Sequence, residues 1–285
     1  MKRKFLACLM ACLTALPLVA QQVTYTAEDS VMIVRLLANA PANDPLWVAR
    51  QFVDRPYVAH TLELFPDDEH LIINTRQLDC TTFVESVTAL RLCIARGEKT
   101  FDDYVRQLRT LRYRDGKQDG YTSRLHYFSD WIIDNTRMGY VEEVQMDVEP
   151  FTAVQTLRPS YMSSHPDAYV SLARHPEWVK VIRQQEQAIK GRRYRYIPKS
   201  KTGQHRLLRK VINDGDILAL TTNKPGLEIA HLGFAVWRED GLHLLNASSV
   251  HKKVIEEPLT LYEYQKKRPA QTGTRVVRLK TAVKK

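Results

Sequence analysis

Near residue 190 the apolar periodicity of this chain changes, and no other feature restricts its fold as much. Before that point apolar residues recur at helical spacing. Phe101, Tyr104, Leu108 and Leu111 make one stripe; Leu125, Phe128, Trp131 and Ile132 make another. After it, short segments alternate as strands do, at Tyr194 to Ile197, Asp216 to Leu220, Ile229 to Trp237, Leu242 to Asn246 and Thr274 to Leu279. Helices followed by antiparallel strands predict an α+β fold. Upstream, Thr26-Ala27-Glu28-Asp29 reads as a capped helix start, and Leu71 to Asn74 as a short strand. A second amphipathic helix is expected from about Asp44 to Asp54, ending before Pro56-Tyr57. The segment 98–190 reads as mainly helical, its last helix running from Ala168 to Ile189 with an interruption near Pro176.

The chain of 285 residues is 44% hydrophobic and 26% charged, which suits one globular domain with an insertion. Lys2, Arg3 and Lys4 precede an apolar run, Phe5 to Val19, so residues 1–20 read as a secretory signal cut after Ala20. That predicts an exported, periplasmic protein. Lipid anchoring through Cys12, in Leu9-Met10-Ala11-Cys12, is the alternative. No later stretch is long and apolar enough to span a bilayer. The formal net charge of +10 suits an anionic partner such as a cell-wall polymer, or simply solubility. The basic run Lys190 to Lys210 alternates Arg193, Arg195 with Tyr194, Tyr196 as a strand does. The leader and the lack of a nucleic-acid motif argue against a nucleic-acid partner.

Outside the leader only Cys80 and Cys93 remain. Phe83, Val87, Leu90 and Ile94 are spaced as on one helix that Gly97 would stop. On such a helix the two cysteines are separated by roughly 20 Å of axial rise, whereas a disulfide needs Cα atoms within about 7 Å. Cys93 then reads as a packed core residue and Cys80 as an unpaired thiol. A small buried hydrophobe is one reading of Cys80. A nucleophile is the other: capped by Asp79 or a following threonine, Cys80 would sit at the helix start, where free N–H groups and the macrodipole favour a thiolate. Those N–H groups could also hold an oxyanion.

A nucleophilic cysteine needs a proton acceptor held by a third group. Strand alternation puts His231, Gly233, Ala235 and Trp237 on one face and Leu232, Phe234 and Val236 on the other. A histidine followed by a glycine leaves room for an approaching group. Asn246 shares the His231 face whether an Asp240-Gly241 turn sets it opposite Ala235 or a loop of Trp237 to Asp240 sets it opposite His231. Only the second arrangement is expected to let the amide orient the imidazole directly. His231 as a satisfied structural histidine, and Asn246 as a strand end, stay open on these grounds.

Asp79-Cys80-Thr81-Thr82-Phe83-Val84, His231-Leu232-Gly233-Phe234-Ala235-Val236 and Asn246-Ala247-Ser248, in that order and preceded by Pro56-Tyr57, resemble the NlpC-type cell-wall cysteine hydrolases. The resemblance implies a papain-like core over about 45–97 and 190–285, with an antiparallel sheet packed on the nucleophile helix. It implies one catalytic domain, 21–285, carrying a helical insertion of about 98–189. The chain departs from the family pattern at Thr82, where glycine is usual, and at Asn246, where histidine is commoner. The insertion, with Tyr121-Thr122-Ser123-Arg124-Leu125-His126-Tyr127-Phe128, resembles the N-acetylmuramoyl-L-alanine amidase-like branch.

The activity so implied is hydrolysis of the amide between the muramyl lactyl group and L-alanine in peptidoglycan fragments, through an acyl-enzyme on Cys80, with His231 as acid and base and Asn246 orienting it. Tyr57, Asp79, Thr81, Ser123, Arg124 and His126 are the expected substrate-binding residues, with a solvated helix face as the alternative for Arg124 and His126. Tyr127 and Trp131 read as core. No metal or cofactor is implied, and the protein is expected to be a monomer. The alternatives are a D-γ-glutamyl-diaminopimelate endopeptidase of the same fold and a non-catalytic wall-binding protein.

Overall fold

The computed structural model describes residues 22–41 and 44–280. The expected signal segment 1–20, with Cys8 and Cys12, lies outside the described residues.

The first half is built from locally capped helices. Strand β1 (Val23–Thr24) leads into α1 (Ala27–Asn39), where Thr26 and Asp29 close a reciprocal capping box. The helix expected from 44 to 54 contracts to a single turn, α2 (Trp47–Arg50). The turns that follow end at Asp54, whose φ of +68° is left-handed. Strand β2 (Leu71–Ile72) pairs parallel with β1. Then α3 (Cys80–Arg96) begins at its cap Asp79 and stops at Gly97, whose φ of +69° suits a residue without Cβ. Beside it packs α4 (Phe101–Arg112), capped by Thr100.

The middle segment is helical with two strands inside it. After α5 (Phe128–Arg137) come β3 (Val141–Val144) and β4 (Ala153–Thr156), which the helical reading of 98–190 missed. Four residues are too few for alternation to stand out, and each strand is stabilised by a partner remote in sequence: β3 pairs with residues 276–279, and β4 with residues 193–196. Two turns, α6 (Tyr161–Ser164) and α7 (Val170–Arg174), precede α8 (Pro176–Ile189). Pro176 breaks α7 from α8 and opens the latter, where its missing N–H costs nothing.

The second half supplies β5 (Arg193–Pro198), α9 (His205–Leu208), β6 (Ile217–Thr222), β7 (Ile229–Arg238), β8 (Gly241–Ser248), β9 (Lys253–Glu256), α10 (Leu261–Lys266) and β10 (Gln271–Leu279). All five strands expected here are present; β9 was not anticipated. The sheet runs β4-β5-β10-β6-β7-β8-β9, antiparallel at each of these pairs, with β3 also on β10. The fold is mixed α+β.

Alternation divides the sheet between two cores. Leu232, Phe234, Val236, Leu245 and Ala247 pack with Phe83, Val84 and Val87 of α3. Leu218, Leu220, Ala235, Leu242 and Leu244 face the other way, onto Leu261 and Tyr264. Phe83 is the pin between α3 and the sheet: its ring meets Phe234 edge-on with centroids 5.5 Å apart, and Phe52 at 6.0 Å. Truncating such a buried aromatic ring costs about 3–5 kcal/mol. A third core, around Leu157, Met162, Leu172, Ile182 and Ile189, gathers α6 to α8.

Candidate active site

Asp79 fixes the start of α3. Its Oδ1 accepts the Thr82 N–H at 2.8 Å, and Thr82 Oγ1 accepts the Asp79 N–H at 2.9 Å. Thr82, where the resembling family has glycine, therefore completes the cap. Cys80 is thereby held in the first turn, half-buried and unpaired, while Cys93 is fully buried in the core. The sulfur meets the N–H of Leu232 and the hydroxyl of Thr81. Leu232 immediately follows His231, so α3 and β7 come together at the sulfur.

His231 and Asn246 approach one another through a register that the sequence reading did not anticipate. Arg238 pairs with Gly241, so the β7–β8 turn is Glu239-Asp240. The Phe234–Leu245 pairing, carried one residue on, sets Asn246 opposite Gly233. Asn246 is thus diagonal to His231 on the same face, and its Oδ1 lies 2.9 Å from His231 Nε2. The expectation that only a directly opposite asparagine reaches the ring is corrected: Gly233 contributes no side chain to block the diagonal. Asn246 lies inside β8 and is fully buried, so it does not end the strand.

With Nε2–H donated to the amide oxygen, Nδ1 is the ring nitrogen left to exchange protons. Tyr264 stacks near the imidazole at 6.3 Å, and the Arg268 guanidinium covers Tyr264 at 3.4 Å.

Electrostatics correct a second expectation. Burial, followed by the Asp79 carboxylate, pushes the Cys80 thiol up to about 12, outweighing the Leu232 N–H, the Thr81 hydroxyl and the helix start. Burial holds the His231 imidazole below its ordinary value despite Asn246. Burial thus works against the charged form of both groups, rather than favouring a preformed thiolate.

Cys80 stands between two cavities. One, of about 180 Å³, is lined by Cys80, Thr81, His126, Glu228 and His231, among others. The other, of about 340 Å³, is lined by Tyr57, Asp79, Cys80, Thr81, Arg124 and His126, with Glu63 and Tyr169 also on its wall.

Comparison with known proteins places the chain. The family described as AmiA-like, N-acetylmuramoyl-L-alanine amidase-like, matches residues 47–272. This chain belongs to that family. An N-acetylmuramoyl-L-alanine amidase from Bacteroides uniformis ATCC 8492 is 42% identical, covering 84% of this chain and 98% of its own, with a TM-score of 0.77. A protein of Bacteroides fragilis described as a putative xylanase is 46% identical, over 82% of this chain and 100% of its own, with a TM-score of 0.76. A Legionella pneumophila protein, 18% identical with a TM-score of 0.67, shares the fold. No curated protein matches.

In this AmiA-like chain residues of the segment 98–189 build one wall of the site. Arg124 and His126 lie on the loop between a turn at Tyr121–Ser123 and α5, not on a solvated helix face. Arg124 is buried, and its guanidinium is occupied: Nη2 meets Glu69 Oε2 at 2.8 Å and Nη1 meets Glu63 Oε1 at 2.9 Å. It is not free to grip a substrate carboxylate, which corrects that assignment; the tertiary fold brings the two glutamates in from 55 and 61 residues upstream. His126 Nε2 bonds the Tyr121 carbonyl at 2.9 Å, and burial first, then the Arg124 charge, pushes the ring down to about 3, so it lines both cavities as a neutral group.

Ser123 lines neither cavity. Its hydroxyl donates to Gly120 O and accepts the Asp119 N–H, a local turn role. Tyr57 does reach the larger cavity, its phenol raised to about 12 by burial and the neighbouring Cys80 and Asp79. Tyr127 and Trp131 are buried, as expected of core.

Glu63, Tyr169 and Glu228 are among the wall residues that escaped the sequence reading. Glu63 bonds Arg124 and the Ser171 hydroxyl, which ties the segment 98–189 to the loop before β2. Glu228 stands directly before a strand, where a charged residue ordinarily reads as solvated; no local signal marks it as buried.

Proposed function

We propose that this AmiA-like protein is a cysteine amidase of papain-like, NlpC-type construction that cleaves the N-acetylmuramoyl-L-alanine amide of peptidoglycan fragments. The observation that carries the reading is that Cys80 shares a cavity with a histidine–asparagine pair remote from it in sequence. Cys80 and His231 line one cavity, and His231 Nε2 is held by Asn246 at 2.9 Å. The similarity to the amidase described from Bacteroides uniformis, at 42% identity, supports this choice of bond.

In this reaction His231 Nδ1 takes the Cys80 proton as the sulfur attacks the amide carbonyl. The carbonyl oxygen becomes an oxyanion beside the Cys80 backbone N–H. Collapse breaks the C–N bond, and His231 returns the proton to the departing alanyl amine. Water, deprotonated by His231, then attacks the thioester and releases the muramyl acid and the free thiol. Asn246 holds the ring in the tautomer that both steps need. With burial disfavouring the charged form of both groups, proton transfer is part of the attack itself.

The xylanase description of the Bacteroides fragilis relative would need two free carboxyls facing across the cleft. Among the described cavity residues, Glu63 is tied to Arg124, Glu85 to Arg112, and Asp79 to the helix it caps, which leaves Glu228 without a second free carboxyl to face it. The arrangement favours acyl transfer. The basic charge and the apolar leader support export to the periplasm, where wall fragments are met, and the continuous β3–β10 pairing supports one catalytic domain across 21–285.

Incubating the protein and Cys80→Ala with N-acetylmuramyl-L-alanyl peptides, and identifying products by mass spectrometry, tests this reading. The free sugar acid and an alanyl amine are expected from the wild type alone. Cleavage instead between D-γ-glutamate and diaminopimelate would favour the endopeptidase alternative. Turnover undiminished in Cys80→Ala would refute the nucleophile.

A further inference from the structure

Glu228 lies three residues before His231 and is only 3% exposed. Its carboxyl belongs to the wall of the 180 Å³ cavity that also contains Cys80 and His231. One oxygen, Oε1, accepts the N–H of Ser129 in the first turn of α5 at 3.2 Å. The Glu228 backbone oxygen is fixed by the Gln155 amide at 2.7 Å, so the residue is held rigidly.

The chemistry gives the two cavities different roles. The imidazole must protonate the departing amine, so the amine half of the substrate lies on the imidazole side. His231 lines the smaller cavity and not the larger, whereas Cys80 and Thr81 line both. The muramyl acyl half then occupies the 340 Å³ cavity, and the peptide occupies the 180 Å³ cavity beside Glu228.

Resting on the amidase reading, we propose that Glu228, on the wall of the cavity shared with Cys80 and His231, is a specificity-determining residue for the leaving peptide, its carboxyl donating a hydrogen bond to a carbonyl or carboxylate oxygen of that peptide. Burial raises the carboxyl to about 7, against the Ser129 N–H, its own N–H, the Arg275 charge and the Ser129 hydroxyl. The groups that face it are Arg275 from β10, Tyr127 and His126 ahead of α5, Tyr169 ahead of α7, and Cys80 and His231 across the cavity. Of these only Arg275 carries a fixed charge. An ionised Glu228 would repel a peptide carboxylate, so binding of an acidic peptide weakens as pH rises.

The test compares two substrates with the same N-acetylmuramyl half, one leaving L-alanine amide and the other L-alanyl-γ-D-glutamate, in the wild type, Glu228→Gln and Glu228→Leu. Thermal melts check that each variant folds. The amide in Glu228→Gln keeps both a donor and an acceptor for Ser129. In the wild type KM for the dipeptide substrate should rise at least about fivefold between pH 6 and 8.5, relative to the alanine amide substrate. Glu228→Gln should abolish that rise while retaining the preference for the dipeptide. Glu228→Leu should lose the preference, about tenfold in kcat/KM. Equal losses on both substrates, or an unchanged pH dependence of KM in Glu228→Gln, would overturn the assignment while the amidase reading stands. A wild type that turns over neither substrate removes both.

Discussion

Asn246 Oδ1 lies 2.9 Å from His231 Nε2 although the two residues stand diagonally, not opposite, in the β7–β8 ladder. The bond passes the side-chain-free Gly233, and it fixes which ring nitrogen is left free of Asn246. Asn246→Ala should lower kcat by at least about tenfold with little change in KM, because the ring loses its orientation rather than its chemistry. Asn246→Asp places a negative charge on the imidazole and should raise its pKa. The acid limb of the kcat/KM profile then moves to higher pH. An unmoved limb would show that His231 is not the titrating base.

Gly233 is required by close approach. A Cβ there would lie 2.7 Å from the Leu245 carbonyl oxygen and 2.7 Å from a Leu244 methyl. Gly233→Ala must push β7 from β8, so a loss of about 1–3 kcal/mol is expected in urea denaturation. Activity should fall further than stability, since the same shift separates His231 from Asn246.

Arg124 organises the wall of the larger cavity through Glu63 and Glu69, with all three side chains largely buried. Arg124→Met leaves two uncompensated carboxylates and should destabilise the protein by about 3–5 kcal/mol. Adding Glu69→Gln to that variant should recover part of the loss, read as a rise in the denaturation midpoint. A double variant no more stable than Arg124→Met would mean that packing, not charge, holds the arginine there.

The Cys80 thiol, raised to about 12 by burial and Asp79, should resist iodoacetamide at neutral pH and react faster as pH climbs above 9. The sign also fixes a stability effect. A thiol whose folded pKa lies above its unfolded 9.0 favours the folded state fully below pH 9, and that contribution is lost as pH rises toward 12. Cys80→Ala should therefore show a shallower loss of stability than the wild type between pH 9 and 11. Parallel curves would refute the raised thiol.

The amino-acid sequence alone determined what depends on near neighbours. Asp79 and Gly97 bound α3 because a cap and a left-handed stop act within one turn. The long strands of the second half declare themselves by alternation, and the shared face of His231 and Asn246 follows from a period of two. Resemblance in the motifs around Cys80, His231 and Asn246 also pointed to the amidase-like family. Tertiary structure decided the rest. The Glu239-Asp240 turn set the register that brings Asn246 diagonally onto His231. Glu63 and Glu69, supplied from across the chain, consumed the charge of Arg124. β3 and β4 formed because remote strands paired with them. Burial reversed the expected effect of the helix start on Cys80. Desolvation and pairing are set by what surrounds a group in space, and a linear chain does not specify those neighbours until it has folded.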